Sequence, residues 1–214
     1  MLGDEFNVAE TDSQPGRLRR LTRAGDDVDS TAGSSPAAFV VRESGGAAAL
    51  GPLQARRFLS DLQGCFADEE RFSSLVSSAN PVAYEVCQLE AHGSDRLLIG
   101  WCALYPGTVS DEFFMTKGHN HGRPRPEMYY CRSGLGLLLA QRGRDCQVLE
   151  LAPNVAVSIP AGWAHRQVNT GAEPLVTVFA VESDAGHDYE FVRLNPFLVR
   201  VMRQGGEVVI QETE

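Results

Sequence analysis

The chain has 214 residues, of which 43% are hydrophobic, and it carries a formal net charge of −9. This length suits a single domain with or without a tail, and the apolar content is sufficient for a folded core. The acidic balance argues against nucleic acid or an anionic membrane as a partner, because both favour a basic surface.

The first 35 residues are rich in Asp, Glu, Ser, Gly and Arg and contain few large apolar side chains. Such a segment cannot bury enough surface to offset the entropy that it loses on ordering. We therefore predict a disordered or loosely ordered polar tail over residues 1–35 and a folded domain over residues 36–214. The basic stretch Arg17–Arg23 is either solvated or an arm that docks on this domain or on a second subunit.

Two short helices are predicted where the folded domain begins. Apolar residues recur at helical spacing in Ala55–Phe66, and Gly64 is a typical helix terminator. A second helix is predicted over Glu69–Ser77. After this point the helical period disappears from the sequence.

The rest of the chain is predicted to form short β-strands. Val82–Leu89 alternates between apolar and polar residues, and Arg96–Leu104 is rich in residues that favour strands. Further strands are predicted near residues 112–117, 127–132, 135–141, 146–151, 155–159, 165–169 and 174–181. Leu198–Met202 and Glu207–Gln211 are predicted to form a final hairpin. Short strands at this spacing predict an all-β sandwich or barrel.

The cysteines and the N-terminus indicate the compartment. The five cysteines form no Cys-x-x-Cys pair: Cys65, Cys87, Cys102, Cys131 and Cys146. An odd count without such pairs predicts free, mostly buried thiols. The N-terminus lacks the order of a signal peptide, and no apolar stretch approaches the ~20 residues of a membrane span. We therefore expect a cytoplasmic protein that does not enter a membrane.

A cluster of histidines is the main chemical signal. His119 and His121 are two residues apart, so on a strand their imidazoles share one face. Glu127 follows a turn rich in Pro and Gly, and we expect it to begin the return strand beside them. A Pro-x-Gly turn precedes His165 and would direct that side chain to the same cavity.

Three imidazoles and one carboxylate suit a divalent metal, and Fe(II), Mn(II), Ni(II), Zn(II) and Co(II) all remain open. An octahedral ion held by these four groups would keep two exchangeable positions, which suits chemistry on a chelating substrate. The alternative for a His-x-His pair by itself is two polar residues on a solvated face. The full order and spacing of the four residues favours the metal site.

Two motifs in these regions resemble those of the cupin family. His119–Gly134 has the spacing His-x-His-x(5)-Glu-x(6)-Gly, and Pro160–Asn169 has the spacing Pro-x-Gly-x-x-His-x-x-x-Asn. The resemblance implies a double-stranded β-helix, a jelly-roll barrel with the metal in its interior, preceded by a short N-terminal helical segment. The glycines that usually open the two motifs are replaced by Phe113 and Asn154, and Asn tolerates a left-handed backbone.

Other segments make the resemblance more specific. Tyr105–His119 reads YPGTVSDEFFMTKGH and is similar to the cupin-type glucose-6-phosphate isomerases first known from archaea. Arg57–Phe66 and Ser183–Tyr189 resemble further motifs of that family, so the similarity runs from about residue 53 to the end. It implies an enzyme that interconverts glucose 6-phosphate and fructose 6-phosphate, as in glycolysis and gluconeogenesis. It also implies a homodimer with one divalent metal per subunit, Fe(II) first.

The resemblance also implies roles for particular residues. The metal ligands would be His119, His121, Glu127 and His165. Glu127, Tyr129 and His187 would be catalytic, whereas Thr116, Gly118 and Tyr129 would contact the substrate. Tyr129 could instead fill the barrel, and His187 could lie on the surface. An aldose–ketose isomerisation would proceed by proton transfer through a metal-stabilised enediolate, with a hydride shift as the competing mechanism.

The chain departs from that family where hydroxyl groups would contact the phosphate or the sugar. Cys102 replaces a Thr and Val181 replaces a Tyr. In a separate departure, Gly and Ser are exchanged at Ser110. A divergent metal-dependent cupin enzyme, such as an oxygenase, epimerase or lyase acting on another hydroxy-carbonyl substrate, is therefore an alternative. A non-catalytic binding or storage cupin is a third hypothesis.

Overall fold

The computed structural model describes residues 53–88 and 97–213, together with two short strands near the N-terminus. Those strands, β1 (Phe6–Val8) and β2 (Leu21–Arg23), pair antiparallel. The rest of the predicted tail, the predicted boundary at residue 36, and His92 lie outside the described residues. Within the described ranges, no helix is long and apolar enough to cross a membrane.

The helical lead-in differs in part from the prediction. The helix predicted over Ala55–Phe66 is wrong for its first turn, because Leu53–Phe58 forms strand β3 and only Leu59–Leu62 is helical, as a 3₁₀ turn. Strand β3 pairs along the edge of a sheet, and those ladder bonds outweigh a weak local helical preference. The second predicted helix is confirmed as α1 (Glu69–Ser78), and a short helix that was not predicted, α2, spans Tyr189–Leu194.

The rest of the described chain is a succession of antiparallel strands. They are β4 (Val82–Gln88), β5 (Leu97–Leu104), β6 (Thr108–Val109), β7 (Glu112–Phe113), β8 (Glu127–Ser133), β9 (Gly136–Arg142), β10 (Asp145–Leu151), β11 (Ala156–Ile159), β12 (Ala164–Asn169), β13 (Leu175–Glu182), β14 (Val199–Gln204) and β15 (Glu207–Glu212). The final hairpin therefore forms as predicted. The strands build three sheets, in the orders β11-β8-β13-β5-β4-β3, β10-β9-β12 and β15-β14-β7-β6. The predicted all-β jelly-roll barrel is confirmed.

The core fills the space between these sheets. Its fully buried side chains include Leu104, Leu138, Val168 and Leu175, which come from the six-stranded and the three-stranded sheets. Burying one such side chain contributes about 1.5–3 kcal/mol. A second, small cluster centred on Trp101 lies apart from this core, because alternate residues of β5 point to opposite faces of the sheet. All five cysteines are free, as predicted.

Two turns keep a left-handed backbone at positions where the family resemblance places glycine. Ser110 has a φ of 51° and Asn154 has a φ of 74°. Each side chain makes a compensating bond: the Ser110 hydroxyl donates to Asp68 at 2.6 Å, and Asn154 accepts from the Tyr130 hydroxyl at 2.9 Å. The backbone requirement has therefore been retained although the residue has changed.

Candidate functional site

The two predicted histidine segments lie side by side inside the barrel. His119 and His165 form an isolated antiparallel bridge, in which the amide of His119 donates to the carbonyl of His165 at 3.1 Å and the reverse bond is 2.9 Å long. His121 follows His119 at the spacing that keeps both rings near the same point, with ring centroids 5.4 Å apart. Backbone pairing thus brings together histidines from two separate motifs.

Glu127 begins strand β8, as the sequence predicts, and its carboxylate lies among the three imidazoles. Its Oε2 atom is 4.0 Å from Nε2 of His119, 3.1 Å from Nε2 of His121 and 2.9 Å from Nε2 of His165. One donor atom from each of the four residues lies within 4.8 Å of all the others. This cluster could hold one metal ion.

The orientation of the rings fits such an ion. Nδ1 of His121 lies 2.6 Å from the carbonyl oxygen of Arg125, and Nδ1 of His165 lies 3.1 Å from that of Trp163. A carbonyl only accepts, so each Nδ1 carries a proton, and Nε2 of each ring is the atom that faces the cluster. Nε2 of His165 is buried and makes no aligned hydrogen bond within the described part of the chain, which is unusual for a buried polar atom. A cation at this point would satisfy it.

The pKa values of Glu127 and the neighbouring histidines bear on whether the cluster can bind a cation. Burial alone would raise the pKa of Glu127, but the neighbouring imidazoles, His121 first, hold it well below its usual value, so the carboxylate stays ionised at neutral pH. The pKa of His119 lies well below its usual value, chiefly because burial disfavours the charged ring. Burial alone would lower the pKa of His121, but the hydrogen bond to Glu127 raises it. A metal ion binds the anionic carboxylate and the neutral form of each imidazole, so metal binding would release any proton that His121 holds.

A cavity of about 260 Å³ opens above the cluster. It contains every residue that the family resemblance places in the metal or substrate site. Among its lining residues are Tyr84, Cys102, Thr116, Gly118, His119, His121, Glu127, Tyr129, His165, Gln167, Val181, His187 and Tyr189. The predicted site residues, scattered over 72 positions of sequence between Thr116 and His187, therefore share one cavity.

The predicted catalytic side chains lie close to the metal cluster. The ring of Tyr129 is buried 5.9 Å from that of His165, and burial, followed by the charge of Glu127, raises its pKa well above the usual value. The ring of His187 lies edge-on to His119 at 4.4 Å and stacks on Tyr189 at 5.8 Å. His187 thus lines the cavity and is at the same time exposed to solvent at its rim.

The two predicted phosphate contacts occupy another wall. Thr116 accepts the backbone amide of Gln167 at 3.0 Å through its hydroxyl oxygen, so its hydroxyl proton is free to point elsewhere. Gly118 has a φ of 78°, and a side chain there would come within about 3 Å of Phe197 and Arg166. Only glycine combines this backbone with this close approach.

Sequence reasoning missed Gln167, which is buried at 3% exposure and lines the cavity. Its Oε1 accepts the hydroxyl of buried Thr177 at 3.0 Å, which fixes the amide so that its NH₂ group faces the hydroxyl of Tyr129. The signal was present in the sequence, because Gln167 follows His165 by two residues on a strand and so shares its face.

The rim of the cavity is held by a loop that carries His187. Asn120 and Asp188 exchange backbone hydrogen bonds of 3.2 and 2.7 Å, and Arg123 donates its amide to Ala185 at 2.9 Å. The carboxylate of Asp184 also forms ion pairs with the side chains of Arg123, at 3.0 Å, and Arg125, at 2.9 Å.

The two positions that depart from the family both line this cavity. Burial, followed by the nearby Cys87, raises the pKa of the Cys102 thiol to about 12, so it is neutral at physiological pH. Val181 is 9% exposed and offers no polar group. The cavity has therefore kept its metal-binding groups and lost two oxygen donors from its walls.

An antiparallel jelly roll with three histidines and one glutamate clustered inside defines a protein of the cupin class. The family model described as glucose-6-phosphate isomerase (GPI) matches residues 55–214. The chain belongs to this family and is thereby an isomerase.

Curated relatives agree with that assignment. The glucose-6-phosphate isomerase of Thermococcus litoralis is 38% identical over 159 residues, covering 73% of this chain and 84% of the relative. That of Thermococcus onnurineus is 41% identical over 157 residues, covering 72% and 82%. Among solved structures, an oxalate oxidase in complex with glycolate aligns over 51% of this chain and 56% of its own, with a TM-score of 0.44 and 17% identity.

Proposed function

We propose that this protein is a metal-dependent isomerase that interconverts glucose 6-phosphate and fructose 6-phosphate. The observation that carries the proposal is the four-donor cluster at the base of the cavity, in a chain of the glucose-6-phosphate isomerase family. The ligands would be His119, His121, Glu127 and His165, with one ion per subunit. Fe(II) is our first choice, and Mn(II), Ni(II), Zn(II) and Co(II) suit the same donors.

The reaction needs negative charge to develop on the oxygens of C1 and C2 of the sugar. A bound divalent ion would supply Lewis-acid stabilisation of that enediolate charge. Glu127 is ionised and fixed by its neighbours, so it is the candidate base that moves the proton between C2 and C1. Tyr129 lies two residues further along β8, on the same face, where its hydroxyl would orient the sugar. His187 would contact the same substrate from the opposite rim.

The phosphate group would be bound by local donors. The hydroxyl of Thr116 and the backbone at Gly118 line the cavity on one side. Backbone N–H groups and hydroxyls can bind a phosphate in a concave turn without a large net charge. This suits a chain whose net charge is −9.

The test is an isomerase assay in both directions with metal-depleted protein reloaded with each of the five ions. We expect turnover only after reloading, and a metal-replete preparation without turnover would refute the proposal. Running the reaction in D₂O then separates the mechanisms. Proton transfer through Glu127 incorporates solvent deuterium at C1 or C2, whereas a hydride shift does not.

The lost wall hydroxyls favour a second candidate function. With a neutral thiol at Cys102 and an aliphatic side chain at Val181, the cavity also suits a metal-dependent oxygenase, epimerase or lyase for an unphosphorylated hydroxy-carbonyl compound. Oxygen consumption, or turnover of such compounds faster than of hexose phosphates, would favour this candidate.

We further propose, from the family resemblance, that the protein acts as a homodimer in the cytoplasm, with a folded domain over residues 36–214 and a polar tail over residues 1–35. Sedimentation equilibrium tests the dimer. Limited proteolysis that removes only the tail tests the domain boundary.

A further inference from the structure

A second cavity, of about 150 Å³, lies on the other side of the segment Met115–Gly118 from the metal cluster. Thr116 and Gly118 line the first cavity, whereas Met115 and Lys117 line the second. An extended chain points alternate residues to opposite sides, so one segment forms a wall of both cavities. The two cavities therefore share a wall, and Arg166 and Tyr189 line both of them.

The walls of this second cavity are strongly basic. Four cationic residues line it, against a single carboxylate: Lys117, Arg166, Arg193 and Arg200, with Glu112. That carboxylate is already engaged, because Glu112 is buried and pairs with the guanidinium of Arg200 at 2.8 Å. Arg193 pairs with Glu190 on its own helix. Within the described ranges, Lys117 and Arg166 have no ion-pair partner.

The one carboxylate that acts on Arg166, Glu112, is already paired with Arg200. One guanidinium nitrogen lies 2.9 Å from the sulfur of Met115, another donates to the carbonyl of Lys117 at 2.9 Å, and the group lies over the ring of Phe197 at 4.3 Å. Its Nε–H is buried and has no hydrogen-bond partner among the described residues. Removing a cation from water is costly unless an opposite charge or a full set of hydrogen bonds replaces the solvent.

We propose that the second cavity binds a small oxyanion of the size of inorganic phosphate, with Arg166 and Lys117 as its cationic partners. The excess positive charge and the unsatisfied Nε–H of Arg166 both favour such a ligand over a neutral one. A guanidinium suits tetrahedral oxyanions because its donors form a planar fork. Because Arg166 also lines the first cavity, the proposal is tested by phosphate binding and not by turnover.

The experiment is a calorimetric titration of the metal-loaded, full-length protein with inorganic phosphate. It compares the wild type with Arg166→Met, Lys117→Met, Thr116→Val and Arg193→Met, and circular dichroism melting confirms that each variant is folded. Thr116→Val removes a contact of the first cavity only. Arg193→Met is the matched control, because it removes a cation of the same cavity that already has a carboxylate partner.

We expect Arg166→Met and Lys117→Met to weaken phosphate binding at least tenfold, while Thr116→Val and Arg193→Met retain the affinity of the wild type within threefold. A smaller loss in the folded Arg166→Met or Lys117→Met protein overturns the proposal, as does a loss confined to Thr116→Val. If Arg166→Met does not fold, Lys117→Met decides by the same criterion. The titration requires no turnover, so its outcome is separate from that of the isomerase assay.

Discussion

His119 and His165 hold each other in place through two reciprocal backbone hydrogen bonds, although they belong to different motifs of the chain. Their ring centroids are only 4.4 Å apart. The position of each imidazole is therefore set by main-chain pairing, and a side-chain change at one of them should leave the other in place.

This relationship makes metal binding testable with a matched pair of variants. His165→Ala should remove one donor without moving His119, and we expect metal affinity to fall by more than the roughly 10–100-fold that loss of an outer partner costs. His187→Ala removes an imidazole that contacts His119 but lies outside the four-donor cluster. It should retain metal. Metal analysis after dialysis against a weak chelator checks both, and equal occupancy in the two variants would contradict the assignment.

Glu127→Gln should preserve the barrel and reduce the isomerisation rate by about 10²–10⁴-fold, because an amide cannot accept the proton that a general base must carry. The carboxylate also lies beside three imidazoles, so the rate has to be measured at saturating metal with occupancy determined in parallel. A near-normal rate in the fully loaded variant would exclude Glu127 as the base.

Gln167→Leu should raise KM for the hexose phosphate more than it lowers kcat, because it removes a fixed donor from the cavity wall and leaves Glu127 untouched. Thr177→Val removes only the hydroxyl that orients the Gln167 amide, and it should have a smaller effect in the same direction. Steady-state kinetics of both variants test this. Equal losses in kcat and kcat/KM for Gln167→Leu would mean that its amide acts only in the transition state.

Asn154→Ala should lower the free energy of unfolding by about 1–2 kcal/mol, because the left-handed backbone at this position is strained for alanine. Alanine also lacks the side-chain hydrogen bonds with which asparagine offsets that strain. Asn154→Gly is the control, because glycine adopts that backbone without strain. In urea unfolding, the free energy of unfolding should be higher for Asn154→Gly than for Asn154→Ala. The reverse order would show that the bond from Tyr130 matters more than the backbone.

Acid should weaken the rim of the cavity. Hydrogen bonding from Arg125 lowers the pKa of Asp184 to about 2 in the folded protein, from a usual value of 3.8. A carboxyl group with a lowered folded-state pKa stabilises the fold above its unfolded pKa, and that contribution is lost as the pH falls through the folded value. Asp184→Asn should therefore flatten the fall in melting temperature between about pH 4 and pH 2.

The control for this pH effect is Asp145→Asn, since Asp145 accepts a hydrogen bond from the neutral amide of Gln147. It should follow the wild-type pH profile more closely than Asp184→Asn does. If the two variants have the same profile, the ion pairs of Asp184 do not contribute to acid stability.

Sequence reasoning predicted most strands and the four-residue cluster, because both depend on short, regular spacings. His119, His121 and Glu127 are separated by a few residues, and strand alternation with one turn is enough to bring them together. Strand β3 was missed because Ala55–Phe58 has no strong local preference and is fixed by pairing with β4, which lies more than 20 residues further along the chain.

The second cavity could not have been predicted in the same way. It depends on Arg166 and Arg200 approaching one another from β12 and β14, and no local pattern encodes that contact. The position of Gln167 in the cavity wall could have been predicted, because it follows His165 by two residues on the same strand. The hydrogen bond that orients its amide could not, because it comes from Thr177 on a different strand. A local sequence pattern does not indicate which residues, distant from each other along the chain, come into contact in the fold.

The paired backbone bonds between Asn120 and Asp188 have a consequence for how substrate enters. Because the loop that carries His187 is joined to the segment between the metal-binding histidines, it cannot swing away without breaking both bonds. Substrate exchange then takes place through an aperture that is already present before binding. The amide protons of Asn120 and Asp188 should exchange slowly with solvent in the ligand-free protein, and sugar phosphate should change their exchange rates little.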